Sequence, residues 1–385
     1  MIARIAILLL ILIVAADACL YWQYLRRSRL WVRLLWWVPC LAMVAYTLVL
    51  TFQKGFMPTN PTLLYVYLFL LGVVVIPKLL LAICSFFGRW GRRIGWVLVA
   101  LTIYVVVYGS FIGFQKLEVT RVEIAFDDLP EAFDGYRIVQ FSDAHVGTFT
   151  NGREDLLRRA VDSINAQHAD AIMFTGDLQN IRPEEVRPHM EVLSKLKAKD
   201  GVFSVMGNHD YAIYTGENEY VQYYNEKVLL GIQQDMGWDL IVNSHRWLRR
   251  GKDIIVLAGL ANESTDPRFP KRANLPGALW GTKRDRFIIM LEHDPSAWRS
   301  LILPHSHAQL TLSGHTHAMQ FSLFGWSPLN LRYKEVNGLY EINNRYLYVS
   351  KGLGGLIPFR FGATGEIVVI TLRKKTLTNL FNRKQ

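Results

Sequence analysis

The chain has 385 residues, 51% of them hydrophobic, and a formal net charge of +11. Its length admits two structural units, and its charge suggests a nucleic-acid partner only until it is divided along the chain. Residues 1–116 hold 11 lysines and arginines against one acid, Asp17, whereas residues 117–385 hold 32 against 31. The basicity belongs to the first third, and the near-neutral remainder argues against nucleic acid as partner or substrate.

Four apolar runs fill that first third: Ile5 to Leu25, Val32 to Phe52, Thr62 to Phe87 and Ile94 to Phe114. Each reaches the roughly 20 residues that a helix needs to cross a bilayer core, and Trp and Tyr cluster near several ends as in interfacial belts. Arg26, Arg27, Arg29 and Arg33 lie between the first two runs and Arg89, Arg92 and Arg93 between the last two, while the middle loop has only Lys54. The arginine loops are therefore expected in the cytoplasm, with both termini outside, although Arg4 beside the first span pulls the other way. The expected product is a multi-pass cell-membrane protein whose large C-terminal domain is extracytoplasmic. A cleaved leader ending near the stretch AADAC is the rival reading of the first run, but cleavage there would strand Arg26 to Arg33 outside. Asp17 and Lys78 fall at similar depth on the first and third runs, so either they pair within the membrane, or Lys78, next to Pro77, snorkels to the cytoplasmic headgroups and Asp17 is protonated or meets another helix's polar group. Cys19, Cys40 and Cys84 all lie in these runs, leaving residues 117–385 with no disulfide framework.

From Leu117 onward short strands alternate with helical segments. Expected strands are Glu118 to Phe126, Tyr136 to Ser142, Ala171 to Phe174, Val202 to Met206, Ile254 to Gly259, Phe287 to Glu292, Leu310 to Ser313, Tyr346 to Ser350 and Glu366 to Leu372. Arg153 to Gln167, with Asn151 as N-cap, and Glu184 to Lys199 carry apolar residues at helical spacing. The pattern predicts an α/β domain over 117–385, following a transmembrane region over 1–116, with late strand-rich sequence that suggests two sheets.

Just after five of these strands come FSDAHVG with Asp143 and His145, FTGDLQN with Asp177, VMGNHDY with Asn208, His209 and Asp210, LEHDP with His293, and LSGHTH with His315 and His317. Loops at strand carboxyl ends converge on the ligand crevice of α/β proteins, and residues two apart in extended chain project to one side. Any one cluster is an ordinary loop; five behind apolar strands point to a common centre. Oxygen and imidazole donors without thiolate suit Mn, Fe or Zn, and the donors exceed what one tetrahedral ion takes. Two divalent ions sharing a carboxylate is the economical arrangement. His168, His189, His245, His305 and His307 are expected to be structural or surface residues.

The sequence Asp-x-His, Gly-Asp, Gly-Asn-His-Asp, a lone His and Gly-His-x-His, spanning Asp143 to His317, resembles the signature of the calcineurin-like metallophosphoesterases. The tail SKGLGGLIPFRFGATGEI, Ser350 to Ile367, is similar to that of a bacterial membrane-associated branch, which usually has two glycines where this chain has Ala318 and Met319. The resemblance implies a four-layer α/β/β/α metallophosphoesterase sandwich and hydrolysis of a phosphoester or pyrophosphate. It implies one metal on Asp143, His145, Asp177 and His317 and a second on Asp177, Asn208, His293 and His315. His209 would then serve the leaving oxygen, and Asp210 would orient it.

Two further readings complete the expectations. The substrate is a phosphorylated small molecule or a lipid-linked one reached from the bilayer, because almost no linker separates the fourth span from the first strand. The segment after His317, AMQFSLFGWSPLNL, is either a buried hairpin or an apolar lip at headgroup level. The alternative function is a membrane scaffold or transport component whose domain binds a ligand without hydrolysing it.

Overall fold

The computed structural model describes residues 5–53 and 60–375; Arg4 and Lys54, which entered the sidedness reading, lie outside them. The chain forms two compact units, one of Met1–Gly113 with Tyr214–Glu217 and Ile357–Phe359, the other of Phe114–Ile213, Asn218–Leu356 and Arg360–Gln385.

In the first unit, Ala6–Leu25, Leu30–Thr51, Pro61–Ser85 and Gly88–Gln115 are helices long and apolar enough to cross a membrane. The third starts where Asn60 accepts the Thr62 N–H and Pro61 takes the first helical position, a residue pair suited to an N-terminus. The fourth begins at Gly88, ahead of the expected Ile94, because Arg89, Arg92 and Arg93 continue the helix. Single π-helical turns at Tyr21–Leu25 and Leu71–Val75 interrupt the first and third helices. Of the two readings of Asp17 and Lys78 the pair is the one that forms: Lys78 Nζ lies 2.6 Å from Asp17 Oδ1 and 4.5 Å from the centre of the Trp36 ring. The indole N–H of Trp36 donates to the Asp17 carbonyl at 3.1 Å, so a cation, its counter-ion and an aromatic face share one polar spot among apolar side chains.

The second unit contains twelve strands: β1 (Leu117–Phe126), β2 (Arg137–Phe141), β3 (Ala171–Phe174), β4 (Val202–Ser204), β5 (Asp239–Leu240), β6 (Ser244–Arg250), β7 (Asp253–Gly259), β8 (Ile288–Leu291), β9 (Leu310–Ser313), β10 (Gly338–Ile342), β11 (Arg345–Val349) and β12 (Gly365–Lys374). They make two six-stranded sheets, ordered β1-β12-β2-β3-β4-β5 and β10-β11-β9-β8-β7-β6. Within the first sheet β2, β3 and β4 are mutually parallel, and within the second β7, β8 and β9 are.

Side-chain alternation builds the layers. On β2 and β3, Ile138, Ala171 and Met173 face Leu257, Ile289, Leu291 and Leu312 of the other sheet, forming the central core. Val139, Phe141, Ile172 and Phe174 point the other way, onto Leu157, Val161 and Ile164 of the helix Glu154–Asn165 and Leu229 and Ile232 of the helix Glu219–Asp235. The outer face of the second sheet, with Val256, Ile288 and Met290, is covered by Trp298, Ile302 and Leu275. Helix, sheet, sheet and helix thus stack as four layers.

Three local expectations need correction. Arg153, not Asn151, precedes the first helix, and Asn151 instead takes a left-handed turn with φ 57°. The expected helix Glu184 to Lys199 is broken into short 3-10 turns and Met190–Leu193, because Pro188, inside it, removes a backbone donor. The helix Glu219–Asp235 and the strands β5, β6 and β10 were not expected.

Candidate metal centre

The carboxyl ends of β2, β3 and β4 lie side by side, and their loops are stitched together by backbone. Asp143 N–H donates to Gly176 at 2.8 Å, His145 N–H to Asp177 at 3.1 Å and Val146 N–H to Leu178 at 2.9 Å. The third loop is tied in by Asp210, whose two carboxylate oxygens accept the N–H groups of Asp177 at 2.8 Å, Leu178 at 2.9 Å and Gly207 at 2.9 Å. Asp210 therefore shapes the backbone under the site rather than orienting His209 as expected; the His209 ring is held instead by the Asn180 carbonyl.

The second sheet is joined across the same edge. Gln140 donates to the Ser313 carbonyl at 2.9 Å, His293 Nδ1–H to the Thr175 carbonyl at 2.7 Å, and His315 N–H to both Asp143 oxygens at 3.0 Å. Such closeness needs glycine. At Gly314 a Cβ would stand 1.9 Å from Ser142 Oγ and 2.3 Å from Asp143 Oδ2, and at Gly207 one would stand 2.2 Å from Asp177 Oδ1.

The result is three overlapping sets of ligand-type side chains: Asp143, His145 and His317; His145, Asp177 and His209; Asp177, His293 and His315. Asp177 sits between the two ends, its Oδ2 3.6 Å from His145 Nε2 and 3.2 Å from His293 Nε2, while its Oδ1 accepts the His209 N–H at 2.8 Å. His317 Nε2 is 3.2 Å from Asp143 Oδ1, and His315 Nδ1 is 2.8 Å from Asn208 Oδ1. Carbonyl oxygens can only accept, so Gln179 on His145, Thr175 on His293 and Asn180 on His209 place the proton on Nδ1 and leave each Nε2 turned inward.

Burial and charge oppose one another here. Burial alone would raise Asp177, yet the imidazoles of His293 and His209 hold its carboxyl well below the usual range. Burial would lower His293, but the Asp177 carboxylate lifts it to about 10. Burial also pushes Asp143 and Asp210 up to about 7 each, drives His145 down to about 3, and lowers His209 and His317. A buried anion with an imidazolium as its counter-cation is a place made for positive charge. His317 Nδ1 is buried without a hydrogen-bond partner, and His293 Nε2 meets only the Asp177 carboxylate, as imidazole nitrogens gathered around a cation site would. The donor set therefore fits divalent metal.

Six of the seven expected ligands and His209 make up the three sets, Asn208 joins them through His315, and His168, His189, His245, His305 and His307 belong to none. Sequence reasoning missed Asp294, buried with its Oδ2 3.4 Å from His315 Nε2, and Tyr333, whose hydroxyl is 3.2 Å from the same nitrogen. Asp294 was legible as the neighbour of His293; Tyr333 carries no local signal. Arg360, in the tail, is buried and donates to the carbonyls of Lys351 and Gly352, whose strand of chain backs Asp143 and His317.

Comparison with known proteins bears on the family. Residues 136–319 match the sequence profile of the calcineurin-like phosphoesterases. The chain is 33% identical to a zebrafish (Danio rerio) transmembrane protein with metallophosphoesterase domain, over 71% of this chain and 61% of that protein. It is 30% identical to YkuE of Bacillus subtilis, an uncharacterized metallophosphoesterase, over 69% of this chain and 89% of YkuE. The solved structure of TT1561 from Thermus thermophilus aligns over 58% of this chain and 90% of its own, at 15% identity and a TM-score of 0.35. With the two-sheet sandwich, the convergent Asp and His residues, the profile match and the sequence relatives, the chain belongs to the calcineurin-like phosphoesterase family.

Proposed function

We propose that this protein is a membrane-anchored hydrolase that cleaves a phosphoester or pyrophosphate at a two-metal centre on the extracytoplasmic side, and that its substrate is lipid-linked. The observation that carries the reading is the position of Asp177, shared by two of the three ligand sets and held anionic between His145 and His293. Asp143, His145, Asp177 and His317 would hold one ion, and Asp177, Asn208, His293 and His315 the other, Mn, Fe or Zn by donor type. When bound, such a pair of ions polarises the phosphoryl oxygens and supplies an activated water.

The chain's own residues supply the rest. His209, with Nδ1–H fixed by Asn180, presents Nε2 as the atom that exchanges a proton with the leaving oxygen. Asp210 and Gly207 keep the loop that carries Asn208 and His209 against Asp177. Membrane anchoring is supported by the four apolar helices, extracytoplasmic placement by the arginine loops, and a lipid-linked substrate by the single residue, Lys116, between Gln115 and Leu117.

The test uses the full chain, purified and loaded with each metal in turn, against lipid phosphates, nucleotides and chromogenic diesters. Hydrolysis that needs metal and stops on chelation is expected. Asp177→Asn should lose metal and activity together, whereas His209→Ala should keep its metals and turn over roughly 10²- to 10⁴-fold more slowly. A metal-loaded chain that hydrolyses nothing would leave the ligand-binding scaffold reading, and loss of metal from the His209 variant would overturn its assignment.

A further inference from the structure

The segment that follows His317 is not a buried hairpin. Phe324 is 100% exposed, Leu331 84%, Met319 55%, Trp326 50% and Leu323 48%, a run of large apolar side chains turned to solvent within thirteen residues. Scattered exposed apolar residues are ordinary, but a contiguous group on one projecting element marks a contact surface.

The projection is built rather than loose. Leu323 and Trp326 exchange both backbone hydrogen bonds, at 2.8 and 3.0 Å, closing a two-residue turn over Phe324 and Gly325. Its base is pinned by Ser322 N–H to Phe361 at 2.8 Å, Phe361 N–H to Gln320 at 2.9 Å, the stacked rings of Phe321 and Phe361, and the buried Ser327 hydroxyl on the Ala318 carbonyl at 2.8 Å. Phe324 and Gly325 both have positive φ, 52° and 81°, the geometry in which Asn-Gly is the favoured pair. A bulky aromatic there is strained and faces water, and a turn that served only to reverse the chain would place Asn or Asp at that position. Ala318, Met319 and Gln320 also have positive φ, 45°, 57° and 54°, so the backbone that leads from His317 into the projection is held in a conformation natural to glycine.

Leu331 is followed directly by a cation, Arg332. Arg332 and Arg268, both exposed, converge on the buried carboxylate of Asp266. The next residue, Tyr333, reaches His315, and the ring of Phe269 lies 4.8 Å from His315, so the segment leaves one ligand, His317, and returns beside another. Aromatic and aliphatic tips with arginines behind them are the composition of elements that enter the headgroup layer of a bilayer. The chain's own apolar helices end one residue before β1, so a lipid surface is the partner that this domain is tethered to.

We propose that the Phe321–Leu331 projection is a lip that inserts Phe324, Trp326 and Leu331 into the lipid surface, so that a lipid-borne phosphate passes over Arg332 and Tyr333 to the Asp and His cluster. The proposal rests on the hydrolase reading for its second half, and its test separates the two. The full chain, with Cys19, Cys40 and Cys84 changed to Ser, receives a spin label at Phe324→Cys or, as a water-facing control, at Lys252→Cys. Both are placed in nanodiscs of phosphatidylcholine and phosphatidylglycerol. Collisions with oxygen should exceed those with a water-soluble nickel chelate at position 324 and fall below them at 252. Water-like collisions at both positions, or dipolar broadening between labels at 324 that reports a second copy on this face, would overturn the lip.

A second arm compares Phe324→Ser/Leu331→Ser with wild type on phosphatidic acid in the same nanodiscs and on bis-p-nitrophenyl phosphate in solution. A loss of about tenfold on the lipid alone is expected, from the apolar contact removed; equal loss on both substrates would overturn the lip. If wild type hydrolyses neither substrate, the collision measurement alone decides the lip, and the hydrolase reading stands or falls on the wider panel above.

Discussion

Five of the seven expected ligands, Asp143, His145, Asp177, His315 and His317, have positive φ, a conformation that non-glycine residues take up only where the surroundings impose it. The surroundings here are the neighbouring loops, which approach within the space a single Cβ would fill. Gly314→Ala should therefore strip metal and lower the melting temperature together, at about 1–3 kcal/mol for such overpacking. A variant that melts like wild type with full metal content would show that the loops are not so close. The His293 and Asp177 pair makes a second prediction. His293 is lifted from 6.5 to about 10, so in the metal-free protein the pair adds stability that is complete below 6.5 and lost as pH rises through about 10. A metal must displace that proton, so its affinity should rise about tenfold per pH unit between roughly 7 and 9, with about one proton released per centre. Competition titrations at two pH values check this, and affinity independent of pH would count against it. These ligands were legible because each is a short motif read against a strand end. Asp210's role was not, since its partners are backbone N–H groups of the Asp177 loop as well as of its own.

Among elements, what the sequence hid shares a physical cause. β5, β6 and β10 are edge strands, and an edge needs little apolar patterning: β6 reads SHRWLRR and buries only Leu248. The helix Glu219–Asp235 escaped notice because its inner face carries Asn225 and Gln233 beside Leu229 and Ile232, with Gln233 accepting the Ser204 hydroxyl at 2.6 Å. Central strands, buried on both sides, were legible nearly to the residue. In the apolar helices the element-scale prediction concerns the pair that links the first to the third. Lys78→Met leaves the Asp17 carboxylate buried and alone, and should cost about 3–5 kcal/mol, read as loss of folded protein in detergent. Asp17→Asn with Lys78→Met should recover most of it, because the polar demand goes with the charge. Additive losses would mean that the 2.6 Å contact contributes nothing.

For the whole molecule the charge distribution makes the largest claim. Under the proposed orientation, reporter fusions after Phe114 and at the C-terminus should behave as extracytoplasmic and fusions at Ser28 or Gly91 as cytoplasmic, because arginine-rich loops favour the cytoplasmic side. The reverse pattern would put the metal centre in the cytoplasm and replace the set of candidate substrates. The centre also divides unevenly between the sheets: Asp143, His145, Asp177 and Asn208 follow strands of one, and His293, His315 and His317 follow strands of the other. Neither sheet owns a full coordination set. Each proposed ion would therefore rivet the halves of the sandwich, borrowing donors from both. Metal content would then gauge whether the sheets have closed on each other, and a chelator would act on this fold as a mild denaturant. A chain so built would loosen as it shed its metals, and starvation for metal would be felt as a lower melting temperature as well as an empty site.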